Sequence, residues 1–546
     1  MASIQLIPLS SLVKVFWDQK PDKLYRGGSM LKNERFSFQV AYNGEDLLDY
    51  SHLEVELDIR SPLKDWITVR QVGNVPSELP CYPNRRDDNY LRTEPGLFPD
   101  PLYPVQDNVF DIMPGHWHSL WFTVEPNGAA PAGSYPVEII LSNRDLGLNA
   151  SVSVEITIID ALLPEQDLIC TNWFHTDCIA TYYRMEVFSD AYWEMVEKFM
   201  ASASRNGINM LLMPAFTPPL DTRVGYERPT VQLVEVFKEP DGSYRFLFDR
   251  LHRWIDLCQA NGIRYYEHSH FFTQWGAKAA PKVMGWENGE YKRLFGWDTP
   301  ATGDAYANFL RQYIPQLLQV LKSRGIDKNT YFHISDEPSL EAQENYAAAR
   351  AVVADLLEGY HIFDALSNYE FYTKGLVTTP VPSVDHIEPF VGNVDELWGY
   401  YCCGQCVDVS NRFFAMPSAR NRILGAQLYK YDVKGFLQWG FNFYFSGLSR
   451  HHINPFLTTD ALSCFPSGDA FVVYPGEEGP LESLRLVVFH EAFQDLRALK
   501  LLEGKVGRQA VLDLMEEGIA PITFQEYPHS DEYILNLREK VNRALA

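Results

Sequence analysis

The sequence predicts a multidomain β and α/β protein, an N-terminal antiparallel β-sandwich followed by a (β/α)8 TIM-type barrel. Three observations carry that prediction. Short strands of alternating polarity fill the chain up to about Asp160, a strand–helix rhythm countable around eight units begins near Leu162, and one apolar strand, Tyr331 to Pro338 (YFHISDEP), ends in two adjacent carboxylates. The boundaries expected are 1–160 for the sandwich, 161–504 for the barrel and 505–546 for a helical extension.

In the first region RFSFQVAY from Arg35, HLEVELDI from His52, SLWFTVE from Ser119, SYPVEIIL from Ser134 and ASVSVEITII from Ala150 alternate apolar and polar residues between turns. That is the pattern of half-buried strands in two packed sheets. Proline-rich PDPLYPV, Pro99 to Val105, reads as a long loop, either a surface connection or a lobe leaning over the neighbouring domain's pocket.

Barrel strand one is LICTNWFH, ending at His175, followed by a helix over about 190–206. INMLLMPA from Ile208 is strand two, after the helix-stopping Asn206-Gly207, and LFDRLHRWIDLCQANG is the second helix. IRYYEHSHFF from Ile263 is strand three, and a long helix over 304–324 leads to the acidic strand, the fourth. IFDALSN, VDHIEPF and ELWGYYC supply strands five to seven; a helix over 418–431 precedes GFLQWGFNF from Gly435, strand eight, and the last helix begins near Leu481. Strand six and the helix before it are the least regular of these, and a seven-stranded or distorted barrel is the alternative. One or two closing helices follow Lys505.

Composition narrows the function classes. The 546 residues allow two or three domains, and 46% hydrophobic with 22% charged side chains describes an ordered globular chain. Seventy-one acidic against 47 basic residues leave a net charge of −24, with no compact Lys/Arg run, so nucleic acid and anionic membrane are excluded as expected partners. Twelve Trp and 30 Tyr suit large cores or sugar-stacking surfaces. The N-terminus carries no basic region ahead of a long apolar one, and no apolar run reaches the roughly 20 residues of a membrane helix. Cys81, Cys170, Cys178, Cys258, Cys402, Cys403, Cys406 and Cys464 are sparse and several lie in apolar segments, as reduced structural thiols would. The expected compartment is the cytoplasm. Cys403-Gly-Gln-Cys406 is a C-x-x-C without the second pair or the histidines of a zinc site.

Acids at the C-terminal end of a barrel strand read as catalytic. Glycoside hydrolysis needs a carboxylic acid to protonate the leaving oxygen and a second group to support charge at the anomeric carbon, roles that Glu337 and Asp336 can divide. Neighbours on a strand point to opposite faces, so both reach one pocket only if the strand distorts at its end, where Pro338 favours distortion. An ordinary retaining barrel enzyme has its nucleophile at the end of strand seven; here that strand runs into Tyr400, Tyr401, Cys402 and Cys403, and Glu388 at the end of strand six is the only evident substitute. Without an enzyme nucleophile, the carbonyl oxygen of a 2-acetamido sugar can attack instead, with Asp336 orienting the acetamido group.

FPDPLYPV, LWFTVEPNGAAPAGSYPVEI, HISDEP, ARNRILGAQLYKYDVKGFLQWGFNFY and GDAFVVYPGEEGPLESLRLVVFHEAFQDLRALKLL, in this order and spacing, resemble glycoside hydrolase family 123, the retaining β-N-acetylgalactosaminidases. The C-terminal stretch also resembles wider relatives without assigned activity, and the adjacent acids are similar to those of other substrate-assisted hexosaminidases. The resemblance implies Glu337 as general acid/base, Asp336 as the acetamido-stabilising residue, no cofactor, and a glycan or glycoconjugate with terminal N-acetylgalactosamine as substrate.

Around the acids, His175, His268, His270 and His333 fall late on strands one, three and four, with His268 and His270 on one strand face. They are read as recognising sugar hydroxyls, as structural, or as metal ligands. Trp398, Tyr401 and Trp439 are candidates for the pocket wall, and Asn442 and Tyr444, ending strand eight, for hydroxyl binding. The resulting expectation is an exo-acting retaining β-N-acetylgalactosaminidase. A β-N-acetylglucosaminidase or other hexosaminidase, a non-catalytic carbohydrate-binding protein and a metal-dependent hydrolase are the alternatives. Oligomeric state is not legible.

Overall fold

Alternating side chains in the first region build what period-two patterns dictate. In the computed structural model, which describes residues 3–45 and 53–546, two five-stranded sheets share one apolar core. The first runs Ser3–Ser10, Phe36–Glu45, His118–Val124, Ile67–Ser77, Gly96–Pro104, antiparallel throughout. The second runs Gly27–Leu31, Leu148–Ile159, Gly133–Asn143, Leu53–Arg60, Val109–Ile112. Its first pair is parallel, a departure from the antiparallel expectation. His52, where the sequence starts one strand, lies outside the described residues. Leu53, Val55, Leu57 and Ile59 are buried in strict alternation, facing a layer that includes Phe38 and Phe122, stacked 4.9 Å apart.

The proline-rich segment corrects the sequence reading. Most of Pro99 to Val105 is not a loop but part of the edge strand Gly96–Pro104, paired in a ladder to Ile67–Ser77 and meeting the barrel on its other side at an isolated bridge from Pro101 to Ser483. An edge tolerates proline because its outer row of N–H groups has no ladder partner to lose, and the register shift between Val72 and Asn74 takes up the irregularity. The strand docks on the barrel's last helix, Leu484–Val506. Buried Asp100 pairs with Arg485 at 2.7 Å and accepts from Tyr474, while Arg485 also donates to the carbonyls of Gly468 and Phe471.

Eight parallel strands follow: β1 (Ile169–Asn172), β2 (Met210–Met213), β3 (Tyr265–His268), β4 (Thr330–Phe332), β5 (His361–Ala365), β6 (Thr379–Val381), β7 (Trp398–Tyr400) and β8 (Gly435–Gln438). Their order is β6-β5-β4-β3-β2-β1-β8-β7, and a parallel bridge from Ser383 to Tyr400 nearly closes the barrel. Its interior is filled by Ile169, Met210, Leu212, Tyr331, Phe363, Trp398 and Leu437. Gly435 is required there, since a Cβ would lie 2.2 Å from the Trp398 ring.

Strand six lies earlier than the sequence suggested. β6 precedes VDHIEPF, which instead leads into a 3-10 turn, Glu388–Phe390, with Pro389 in its first turn, where proline's fixed φ suits a helical start. The helix after β5 shrinks to Glu370–Thr373, and the one expected over 418–431 is broken into Ser418–Arg422 and Leu424–Lys430. Two hairpins that the strand count passed over, Glu235–Lys238 with Tyr244–Leu247 and Val283–Glu287 with Glu290–Phe295, form a small four-stranded sheet on the connections after β2 and β3. Beyond the barrel, helices Arg508–Met515 and Asp531–Leu545 pack on Leu484–Val506, and Asn542 of the second donates to Ser29 of the sandwich.

Candidate active site

β4 is three residues long, and the acids come four and five residues beyond it. The extension is held by backbone bonds to both neighbours: Phe271 and Phe272 donate to His333 and Ile334, Trp275 donates to Asp336, and Glu337 donates to Ala365. Glu337 has φ +42°, a left-handed conformation that costs a non-glycine residue energy and that the surrounding bonds enforce. This turn resolves the parity problem. Asp336 and Glu337 both line one cavity of about 170 Å³ at the C-terminal ends of the strands.

Trp173, Trp275, Trp439 and Phe465 wall the cavity, Leu220, Ala365 and Leu437 contribute apolar surface, and Asp221, Tyr400, Cys402 and Cys403 complete it. The Tyr400 hydroxyl donates to Glu337 Oε1 at 2.7 Å. Trp439 is fixed by its Nε1–H, which donates to Asp469 at 2.9 Å. Burial pushes the Asp469 carboxyl up to about 7.

Below the acids lies a buried charged chain. His333 Nε2 donates to Glu267 at 2.9 Å and Nδ1 to Asp364 at 3.1 Å, while Trp173 Nε1 donates to Glu267 and Tyr346 to Asp364. Burial alone would lower the His333 pKa, but the hydrogen bonds to Asp364 and Glu267 raise it to about 9, so the ring is an imidazolium. Burial, and then the neighbouring charge of Glu337, raise Asp336 well above the carboxylate range; the His333 cation opposes this. Glu337 is exposed to the cavity, and the protein packed around it raises its carboxyl too, against the Tyr400 bond. The pair therefore holds a proton at pH values where two ordinary carboxyls would hold none.

Of the residues singled out from sequence, Asp336, Glu337 and Trp439 line the cavity. The four histidines do not. His175 lies beyond the end of β1, donating from Nε2 to the Trp439 carbonyl and accepting from Arg228; burial lowers its pKa to about 3. His268 and His270 do not share a face, because β3 ends at His268 and the alternation lapses. His268 bonds Tyr313 on the outer helix Asp304–Ser323, whereas His270 turns inward and stacks on His333 at 4.1 Å. Trp398 is fully buried inside the barrel, and Tyr401 points outward onto Phe436. Asn442 spends both amide groups on the His175 backbone, and the Tyr444 hydroxyl bonds Val473. Glu388 is an exposed residue of the 3-10 turn and lies outside the cavity.

Tyr400 could have been found by parity, since it shares a strand face with Trp398 two residues before it. Glu267, an acid between aromatic residues on β3, was a similar signal. Asp221 and Trp275 sit on irregular connections and gave none.

Among the described residues, His270, His333 and Asp364 bring potential metal ligands within 4.8 Å. The set does not fit a metal: both His333 nitrogens carry protons directed at carboxylates, leaving no lone pair to donate.

A family model described as the catalytic domain of glycoside hydrolase 123 matches residues 173–502. A family 123 glycoside hydrolase from Clostridium perfringens, studied for glycolipid glycan hydrolysis, superposes with a TM-score of 0.77 at 14% identity, over 100% of this chain and 98% of that one, a likeness of fold. Far looser likenesses are the β-glucuronidase of Parabacteroides merdae, at TM-score 0.32 and 10% identity over 90% of this chain and 52% of that one, and an endo-β-1,4-mannanase from Thermotoga petrophila, at 0.32 and 12% over 61% and 77%. No curated protein matches the chain. No helix of the described residues is long and apolar enough to cross a membrane.

Proposed function

Because the chain belongs to glycoside hydrolase family 123 and is a glycoside hydrolase, we propose that it is an exo-acting, retaining β-N-acetylgalactosaminidase working by substrate assistance. Glu337 is the general acid/base, Asp336 supports the 2-acetamido group, and the substrate is a glycan or glycoconjugate ending in β-linked N-acetylgalactosamine. The observation that carries this reading is the end of β7, where the position of an ordinary nucleophile is occupied by Tyr400, a hydrogen-bond donor to Glu337. Glu388, the substitute nucleophile considered from sequence, does not line the cavity. Domain boundaries at about 160 and 504 and a cytoplasmic location belong to the same proposal.

In the first step Glu337 gives its proton to the glycosidic oxygen as the C1–O bond breaks, and the acetamido carbonyl oxygen bonds C1 from the other face. The acetamido N–H donates to Asp336. That bond favours ionised Asp336 and leaves the shared proton on Glu337, where the departing oxygen needs it. The oxazolinium cation is stabilised by the Asp336 charge, an interaction strongest beyond the ground state. Water, deprotonated by Glu337, then attacks C1 and breaks the bond from C1 to the acetamido oxygen, whose electron pair returns to the amide, so the product retains the β configuration. Trp173, Trp275 and Trp439 offer apolar faces to the sugar and exclude water.

The test is a set of three measurements on the purified protein. A thiazoline derived from N-acetylgalactosamine should inhibit, an aryl β-galactoside lacking the acetamido group should turn over negligibly beside the N-acetylgalactosaminide, and no glycosyl ester should accumulate. Rapid hydrolysis of the plain galactoside, or a trapped ester on Asp221 or Glu388, overturns the mechanism; preference for the N-acetylglucosaminide overturns the substrate.

A further inference from the structure

Asp221 is a third carboxylate in the cavity, and the mechanism above gives it no task. Its backbone is in the left-handed region, φ +39°, as are Leu448 and Ser449 on the connection after β8 that clasps it, at +58° and +52°. Asp221 Oδ2 accepts from Leu448 N at 2.8 Å, its carbonyl accepts from the Ser449 hydroxyl at 2.6 Å, and Gln274 donates to the carbonyl of Thr222 beside it. Leu220, just before it, is anchored in the barrel interior. The Ser449 N–H also faces the carboxylate but is bonded to the Ser446 carbonyl at 2.9 Å, so among the described residues no hydrogen bond is made to Asp221 Oδ1. Of the two nearby cations, Arg228 is already engaged by both oxygens of Asp177, at 2.6 and 2.8 Å, and exposed Arg450 makes no hydrogen bond to Asp221. One oxygen is thus tied to the scaffold and the other is left without a protein partner, on a carboxylate that lines the cavity with Trp275 and Trp439.

We propose that Asp221 is the glycon's hydroxyl receptor, its free oxygen accepting a hydrogen bond from the C4 or C6 hydroxyl at the end of the ring away from the acetamido group and scissile bond. This deepens the galactosaminidase reading and rests on it. A carboxylate oxygen is a strong acceptor for a hydroxyl, and a buried one left without its donor penalises a sugar that lacks it. With the acetamido group at Asp336 and the leaving oxygen at Glu337, the far edge of the ring remains to be recognised.

Asp221→Asn isolates the free oxygen. Asparagine tolerates the left-handed backbone, and its amide oxygen keeps the Leu448 bond, so the clasp survives, as an unchanged melting temperature would verify. The measurement is kcat/KM for wild type and variant on an aryl β-N-acetylgalactosaminide and on its 4-deoxy and 6-deoxy analogues. Removing one of those hydroxyls should cost wild type about 10- to 100-fold. In Asp221→Asn the same removal should cost less than about threefold, with the parent substrate already slowed about 10- to 100-fold. Equal deoxy penalties in both proteins, or a variant as fast as wild type on the parent, overturn the assignment while leaving the substrate reading intact. A wild type inactive on the parent glycoside contradicts the substrate reading first, and this inference with it.

Discussion

At the residue scale, the account depends on a proton. The protein packed around Glu337 raises its carboxyl, so the acid form persists to higher pH than in a free glutamate, and the alkaline limb of kcat/KM should record its loss. Glu337→Gln should lower turnover of a poor leaving group by about 10²–10⁴-fold and abolish that limb; a variant that keeps both removes Glu337 from the role. Tyr400→Phe deletes a bond that favours the charged form, so the limb should move to still higher pH, and a shift downward contradicts the arrangement. The two acids were legible in the sequence because adjacency, an apolar strand and a proline coincide. The histidines were not: their burial and partners depend on where each strand stops, and β3 stops at His268, two residues before His270. Tyr401 was chosen over Tyr400 against strand parity. Asp221 lies on a connection whose path is set by contacts with residues more than two hundred positions away.

At the element scale, edge placement decides what the proline-rich segment becomes, and edge placement is a tertiary fact. Gly96–Pro104 lacks N–H groups that a central strand would need, yet it carries Asp100 into a buried pair with Arg485. Asp100→Ala leaves that guanidinium without its counter-charge and should destabilise the protein by about 3–5 kcal/mol, read from denaturant unfolding. A loss below about 1 kcal/mol would mean that the carbonyls of Gly468 and Phe471 suffice to hold Arg485. The misplacement of β6 has a related origin. VDHIEPF has strand-like composition, but Thr379–Val381 occupies the ladder position beside β5 and leaves the later segment to a 3-10 turn. The short helices after β5 and β6 have no long amphipathic pattern to read, whereas Asp304–Ser323 and Leu484–Val506 do run where the sequence placed helices.

At the scale of the whole molecule, sandwich and barrel are joined by buried polar contacts, not by a flexible seam. Besides Asp100 and Arg485, Arg70 pairs with Glu482 at 2.6 Å, Arg35 donates to Asn206 at 2.7 Å, and Lys14 donates to the carbonyls of Phe413, Phe414 and Met416. Burial lowers Lys14 to about 7 despite the attraction of Asp100. Such an interface leaves unpaired charges if one part opens alone, so calorimetry should show a single transition, and two separated transitions would contradict the coupling. The order of sandwich and barrel was legible because periodicity is local and repeats. Which sandwich strand meets which helix was not, because ion pairs between residues hundreds of positions apart leave no mark on local pattern. The central claim is that the substrate's own carbonyl oxygen attacks the anomeric carbon, and the most direct measurement is kcat along a series of aryl glycosides whose acetamido methyl carries zero, one, two or three fluorines. Each fluorine weakens the carbonyl as a nucleophile with little change in size; the account predicts a steep, monotonic fall in kcat across the series, and a flat dependence would contradict it.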